Sequence, residues 1–293
     1  MRRPLIGALL AVLLLGGGAA PALAAPVAPA PGAVGTITDT DTAAPEPRLA
    51  AVDFAGTVAL SNCSGSVVRT PQSQPSDPAL VLSNGHCLES GFPAAGQVIV
   101  NQASTRSFTL LNSAGTGVAT LRASKVAYAT MTDTDISLYQ LTTTYAQIQS
   151  AYGITALELN AARPAQGSAI KVVSGYWKRI YSCSVDGFAY QLKEASWTWK
   201  DSVRYTSSCN TIGGTSGSPV IDDATGKVVA VNNTGNEDGA RCTLNNPCEV
   251  DENGTVTVRQ GINYAQQTYP LVACLTTGSV IDLNAAGCTL PKP

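Results

Sequence analysis

Histidine is almost missing from this sequence: the 293 residues contain one, His86, and there is no Cys-x-x-Cys pair. A zinc site usually needs several such ligands, so we expect no metal and no other cofactor. The 18 basic residues are outnumbered by 20 acidic ones, for a net charge of −2, and they form no basic run. Because a weakly acidic chain lacks the electrostatic footprint of a nucleic-acid-binding protein, we expect no nucleic-acid partner.

Long apolar runs are also missing after the N-terminal region. The start, MRRPLIGALLAVLLL, is followed by the small-residue motif ALA at 22–24. A basic start, an apolar centre and a small-residue end are typical of a secretory signal peptide, whereas a membrane-spanning helix needs about 20 apolar residues. We therefore expect residues 1–24 to be a signal peptide and the mature protein to be secreted, extracellular and not bound to a membrane. Residues 25–50, rich in Ala, Pro and Thr, are expected to be a pro-segment or disordered linker.

The cysteines indicate disulfides. An even number in an exported chain predicts disulfide bonds, although eight cysteines allow roughly a hundred connectivities, so the sequence alone does not determine the pairing. Neighbours along the chain suggest four pairs: Cys63 with Cys87, Cys183 with Cys209, Cys242 with Cys248, and Cys274 with Cys288.

The sequence pattern of residues 51–293 indicates antiparallel β structure. Short apolar or alternating runs such as SGSVVR, ALVLS and DISLYQL, and later AIKVVS and GKVVAVNN, are divided by Gly, Pro, Asn and Ser. Long amphipathic helices between strands are missing, which argues against a parallel α/β fold. Residues 143–152 lose the two-residue period and could hold a short helix, while Pro270 is expected to interrupt a helix near residues 263–275.

The stretch TIGGTSGSPV, residues 211–220, contains a candidate nucleophile, Ser216. A serine hydroxyl reacts poorly unless a general base takes its proton, and neutral imidazole suits that role near neutral pH. Since the chain has one imidazole, His86 must be the base if an ordinary triad exists. A carboxylate must then orient the imidazole. Asp135, at the start of the run DISLY, is the preferred candidate, and Asp133, two residues earlier on the same face, is its competitor.

The chain order of these residues separates the serine-hydrolase designs. The order His86, Asp135, Ser216 excludes the α/β-hydrolase order of Ser, acid, His, and Ser218 breaks the Gly-x-Ser-x-Gly elbow. A subtilisin-like order through Asp53 or Asp77 stays formally open, but that fold needs a parallel sheet.

The motifs SNGHC, DISL and GGTSGSP resemble the three catalytic motifs of trypsin-like, chymotrypsin-fold serine endopeptidases. The motif GTSGSPV resembles that of the glutamyl-endopeptidase-like bacterial branch. The resemblance implies an all-β fold of two six-stranded antiparallel barrels, about 51–142 and 160–270. It is faint beyond residue 266, so it does not explain the disulfide-containing tail that we expect at 271–293. It implies that His86 and Asp135 lie on the first barrel and Ser216 on the second, with the active site in the cleft between them. The backbone N–H groups of Gly214 and Ser216 would form the oxyanion hole. The implied activity is hydrolysis of protein or peptide substrates through an acyl-enzyme, by a monomer.

Three departures from the family bear on mechanism. Thr215 stands where relatives that are activated by a freed N-terminus have an aspartate, so that salt-bridge switch is absent. Asn233 stands where many relatives have a serine that supports the catalytic aspartate. The predicted specificity pocket is uncharged, which favours a neutral or unselective P1 residue; its residues are Asn210, Thr211 and Asn232.

Two other functions stay open at this point. A catalytically silent member of the fold could act as a binding or adhesive protein, because a fold alone does not confer activity. A lectin-like or cell-wall-binding β domain would use aromatic platforms, although the three tryptophans could equally be packing residues; they are Trp177, Trp197 and Trp199.

Overall fold

The computed structural model describes residues 51–293. The expected signal peptide, residues 1–24, and the expected pro-segment, residues 25–50, lie outside the described residues. Within residues 51–293 no helix is long and apolar enough to cross a membrane.

The first eight strands form one sheet, which closes into a barrel. Six of them pair antiparallel in the order β1-β5-β6-β7-β3-β2, and β1 also pairs with β2 to complete the ring. Strand β4 pairs with β6, and β8 runs parallel to β2. The bounds are β1 Thr57–Ala59, β2 Ser64–Arg69, β3 Pro78–Ser83, β4 Val98–Ala103, β5 Ser107–Leu111, β6 Gly117–Thr130, β7 Ile136–Thr144 and β8 Leu157–Glu158.

The next eight strands form a second barrel. Its ring runs β11-β16-β13-β12-β9-β10 and closes where β10 pairs with β11, while β14 and β15 extend from β10. The predicted fold class, two six-stranded antiparallel barrels, is confirmed. The bounds are β9 Ala169–Ser174, β10 Arg179–Glu194, β11 Trp197–Tyr205, β12 Pro219–Asp222, β13 Val228–Gly235, β14 Cys248–Val250, β15 Val256–Val258 and β16 Asn263–Gln267.

Two short helices follow β7 and β16: α1, Tyr145–Tyr152, and α2, Tyr269–Cys274. Helix α1 forms where the strand period is lost and begins with a capping box, in which Thr144 and Gln147 each accept the other's backbone N–H. The expectation that Pro270 interrupts a helix is wrong. Pro270 stands in the first turn of α2, where its missing N–H leaves no helical hydrogen bond unmade.

The C-terminal residues pack against both barrels. After α2 comes a small hairpin of β17, Leu275–Thr276, and β18, Val280–Ile281. One buried apolar cluster contains Leu82 of the first barrel, Val231 of the second and Leu290 near the C-terminus. Because burying apolar surface stabilises the folded state, the tail contributes to the junction that the barrels share.

Candidate active site

His86 follows β3, a strand whose residues are almost all buried. It occupies a single 3-10 turn, Gly85–Cys87. A side chain at position 85 would collide with the carbonyl oxygen of Thr130, so glycine is what allows the turn to pack this closely. The result is a mostly buried imidazole that lines a cleft of about 500 Å³.

Asp135 immediately precedes β7, and its carboxylate is fully buried. Its Oδ2 lies 2.7 Å from Nδ1 of His86, and its Oδ1 accepts the backbone N–H of His86 at 3.1 Å. Asn84 Nδ2 donates to the main-chain oxygen of Asp135 at 2.8 Å. The carboxylate therefore holds both the ring and the backbone of His86. It favours the tautomer with the proton on Nδ1, which leaves Nε2 able to accept one.

Asp133, the competing carboxylate, is engaged elsewhere. Its Oδ2 lies 2.8 Å from Nζ of Lys200, and its side chain is 42% exposed. The backbone of Asp133 is left-handed, with φ +60°. This turn breaks the strand alternation that would have placed both aspartates on one face, so Asp135 alone faces His86.

Ser216 lies in the loop before β12 and lines the same cleft as His86 and Asp135. Among the described residues its Oγ bonds only to the main-chain oxygen of Asn233, at 3.2 Å, and not to His86. Hydrogen bonds between catalytic groups are often long or poorly aligned before substrate binds, so this geometry does not exclude a pair of Ser216 and His86. The first barrel anchors the loop, because the N–H of Ser64 donates to the main-chain oxygen of Ser216 at 2.8 Å.

The loop also presents unpaired backbone donors. The N–H groups of Gly214 and Ser216 bond to no atom of the described residues, whereas that of Thr215 bonds within the loop. Gly214 has φ +86°, a conformation that costs glycine little. Two such N–H groups beside a serine hydroxyl are available to an oxygen that carries negative charge.

The family follows from the sequence match. Residues 63–231, more than half of the chain, match the trypsin-like peptidase domain, and this span contains His86, Asp135 and Ser216. The chain belongs to the trypsin-like peptidase family. Such proteins are serine proteases, so the family implies protein substrates.

Solved structures with a similar fold are distant in sequence. The MamO protease domain from Magnetospirillum magneticum is 13% identical, with TM-score 0.47, covering 76% of this chain and 97% of that one. The active form of Rv3671c protease from M. tuberculosis is 14% identical, with TM-score 0.46, covering 82% and 85%. The thermostable serine protease AL20 from an extremophilic microorganism is 16% identical, with TM-score 0.42, covering 73% and 91%. No curated protein matches the chain.

One of the predicted pocket residues of this trypsin-like peptidase also supports Thr215. Asn210, Thr211 and Asn232 all line the cleft. Asn232 Nδ2 donates to Thr215 Oγ1 at 3.1 Å, and Thr211 Oγ1 donates to Asn263 Oδ1 at 2.9 Å. Thr215 thus has a neutral, buried partner at the position where some relatives form an ion pair.

The buried acid Glu194, at the end of β10, was not predicted. It lines the cleft, is 4% exposed and accepts the N–H of Asn245 through Oε1 at 2.8 Å. Its Oε2 has no hydrogen-bond partner among the described residues. Burial raises the pKa of Glu194, and the charge of Asp135 acts in the same direction, against the opposing hydrogen bond from Asn245 and the charge of His86. No motif marks this residue, because only the closure of the barrel brings it to the cleft.

Burial and two carboxylates set the pKa of His86. Burial lowers this pKa because the imidazolium loses hydration. The charge and hydrogen bond of Asp135, together with the charge of Glu194, outweigh that effect, so the pKa of His86 is raised above its ordinary value of 6.5.

All the cysteines are paired, and the expected disulfides are present. Cys63 and Cys87 lie within reach of His86, but sulfurs joined in a disulfide are not thiolate metal ligands. The four bonds are the chain-neighbour pairs suggested by the sequence: Cys63–Cys87, Cys183–Cys209, Cys242–Cys248 and Cys274–Cys288.

We expect Cys63→Ser/Cys87→Ser to lower the free energy of unfolding by about 2–5 kcal/mol and to lower kcat as well. Cys87 belongs to the turn that carries His86, and the disulfide joins that turn to Cys63, the residue before β2. Losing the bridge should therefore loosen the imidazole. Denaturant unfolding and kcat on a peptide substrate measure the two effects. The control is Cys274→Ser/Cys288→Ser in the tail, which should lose stability and keep kcat. Unchanged kcat in the first variant would contradict a bracing role.

Proposed function

We propose that the protein is a secreted serine endopeptidase that cleaves protein or peptide substrates through an acyl-enzyme intermediate. Ser216 is the nucleophile, His86 the general base and Asp135 the group that orients the base. The observation that carries the proposal is the buried Asp135 carboxylate 2.7 Å from His86 Nδ1, in a cleft that Ser216 also lines.

The chemistry follows from these positions. His86 Nε2 takes the hydroxyl proton of Ser216 as Oγ attacks the scissile carbonyl carbon, and the resulting imidazolium is stabilised by Asp135. The carbonyl oxygen becomes negatively charged and accepts the free N–H groups of Gly214 and Ser216. His86 then gives its proton to the leaving amine. In the second half of the reaction His86 takes a proton from water as the water attacks the acyl carbon, and it returns that proton to Ser216 Oγ when the acyl bond breaks. For attack, Oγ leaves the carbonyl of Asn233 and turns to His86.

The pocket and the disulfides support the finer parts of the proposal. The residues that line the predicted specificity pocket carry no charge, which favours an uncharged P1 side chain; they are Asn210, Thr211 and Asn232. We keep the relation to the glutamyl-endopeptidase-like branch as a proposal that rests on the GTSGSPV motif. Four disulfides favour an oxidising, extracellular location.

A fluorophosphonate probe tests the assignment, because it reacts with an activated serine. We expect a single labelled peptide containing Ser216, and no label in His86→Ala or Ser216→Ala. The control Ser218→Ala should still label. A folded wild-type protein that stays unlabelled would favour a catalytically silent member of the fold, and labelling at another serine would contradict the assignment.

We expect the acid limb of the kcat/KM profile to lie above pH 6.5, because the pKa of His86 is raised and the protonated ring cannot accept the serine proton. Activity is therefore lost as the pH falls through that pKa. Glu194→Gln removes one of the two negative charges that raise this pKa, and it should move the limb to lower pH.

The matched control for that shift is Glu237→Gln, since Glu237 also lines the cleft but is not among the groups that shift the pKa of His86. Profiles of kcat/KM from about pH 4 to 9 compare the three proteins. A limb that Glu194→Gln leaves in place, or one that both variants move equally, would contradict a specific effect of Glu194.

A further inference from the structure

Trp177 is half exposed, and its indole N–H donates a short hydrogen bond. It follows β9, the residue is 50% exposed, and its Nε1–H donates to the main-chain oxygen of Gly213 at 2.7 Å. Gly213 precedes Gly214, whose N–H is one of the two unpaired donors of the loop. The indole therefore contacts the peptide group that supplies this donor.

The geometry of a peptide group explains why this contact matters. A trans peptide is planar, so the C=O of Gly213 and the N–H of Gly214 point in opposite directions. Fixing the carbonyl toward Trp177 fixes the N–H away from it. Two adjacent glycines restrict the backbone little, so this peptide could otherwise turn over at small cost. The rings also pack on Gly214, where a Cβ would lie 3.0 Å from Trp177 Nε1 and 3.0 Å from Tyr176 Cδ1.

The turn that carries Trp177 is itself held by two hydroxyls. The N–H of Trp177 donates to Ser174 Oγ at 3.2 Å, and that of Tyr176 donates to Ser64 Oγ at 3.1 Å. The two hydroxyls lie 3.1 Å apart, and Ser64 Oγ donates to the carbonyl of Gly214 at 3.2 Å. Each hydroxyl proton then has one acceptor: Ser174 donates to Ser64, and Ser64 donates to Gly214. The carbonyls on both sides of the Gly214 N–H are thus bonded.

No ion pair at position 215 supports the peptide between Gly213 and Gly214. Thr215 has no carboxylate that could receive a freed N-terminus, and its Oγ1 is occupied by Asn232 Nδ2. The neutral network fixes the side chain of Thr215, but it does not reach the peptide between Gly213 and Gly214. Among the described residues, the indole N–H of Trp177 is the group that bonds this peptide.

We propose that Trp177 is a positioning residue that holds the oxyanion hole in its catalytic orientation, so that the hole stands assembled without a newly freed N-terminus. This inference rests on the proposed function. Trp177 contacts the donor peptide and not the reacting atoms, so its loss should weaken transition-state stabilisation and leave substrate binding unchanged.

The test is Trp177→Phe, together with replacement of Trp177 by benzothienylalanine, which keeps the ring shape and lacks the N–H. Removing an oxyanion donor outright costs about 10²- to 10³-fold in kcat. Freeing its orientation should cost less, about 10- to 100-fold in kcat, with KM unchanged. Affinity for a peptide boronic acid, which mimics the tetrahedral oxyanion, should fall in parallel. The matched control is Tyr176→Phe in the same turn, which removes a hydroxyl that bonds no described residue and should keep kcat.

The possible outcomes separate the two proposals. A wild-type protein that neither labels with fluorophosphonate nor hydrolyses peptides overturns the proposed function and this inference with it. An active wild type whose kcat survives both Trp177 replacements overturns this inference alone. A rise in KM at constant kcat also overturns it, because that result makes Trp177 a substrate contact. If Trp177→Phe lowers Tm, the benzothienylalanine protein decides, since its packing is preserved.

Discussion

Ser216→Ala should lower kcat by roughly 10⁵- to 10⁶-fold, the largest effect we expect from any single substitution. The variant keeps the cleft and both unpaired N–H groups but has no oxygen to form the acyl-enzyme. The residual rate should come from water attacking a carbonyl that the oxyanion hole still polarises. Hydrolysis of a peptide substrate at high enzyme concentration measures this rate, with mass spectrometry to exclude a contaminating protease.

The fold of Ser216→Ala should be nearly unaffected. Its Oγ makes one hydrogen bond, to the carbonyl of Asn233, so its loss should lower the free energy of unfolding by about 1 kcal/mol. Ser218→Ala is the matched control, because Ser218 is fully buried and donates to the carbonyl of Thr215 at 2.6 Å. We expect Ser218→Ala to lose more stability and far less activity. Equal losses of kcat in the two variants would contradict the assignment of the nucleophile.

His86 could be proposed as the catalytic base from the sequence because the chain contains one histidine. A serine nucleophile needs a general base, and the sequence offers one imidazole for that role. The barrels could be predicted because short alternating runs are a local signal of β-strands. The choice between Asp133 and Asp135 was harder, since residues two apart share a face of a regular strand. The left-handed backbone at Asp133 and its ion pair with Lys200, a residue of β11 in the second barrel, are what separate them.

The residues that support the site through contacts distant in sequence could not be predicted, because no local pattern marks them. The partners Ser64 and Gly214 are 150 positions apart, and Ser64 and Ser174 are 110 apart. Glu194 reaches the cleft because β10 closes the barrel against β11. Contacts of this kind depend on how two barrels pack, which no short pattern encodes. The packing of the tail could not be predicted for the same reason, since Leu290 packs in a cluster with residues of both barrels.

Asp135→Asn should lower kcat by about 10⁴-fold near neutral pH, the effect known for loss of this charge in a Ser-His-Asp triad. The carboxylate accepts Nδ1–H of His86, whereas an amide group that donates to Nδ1 forces the proton onto Nε2, where the ring can no longer accept the proton of Ser216. A kcat profile over pH, with denaturant unfolding as the folding check, measures the effect.

Asp133→Asn is the matched control for that result, because it removes the same charge two residues away. Asp133 pairs with Lys200 at an exposed site, and exposed ion pairs contribute about 0–1 kcal/mol to stability. We therefore expect wild-type kcat from Asp133→Asn. The two variants together test whether the buried contact with His86, and not negative charge in this segment, supports catalysis. Equal losses of activity in Asp133→Asn and Asp135→Asn would contradict this. They would mean that negative charge in this segment matters more for catalysis than the hydrogen bond by which Asp135 fixes the tautomer of His86.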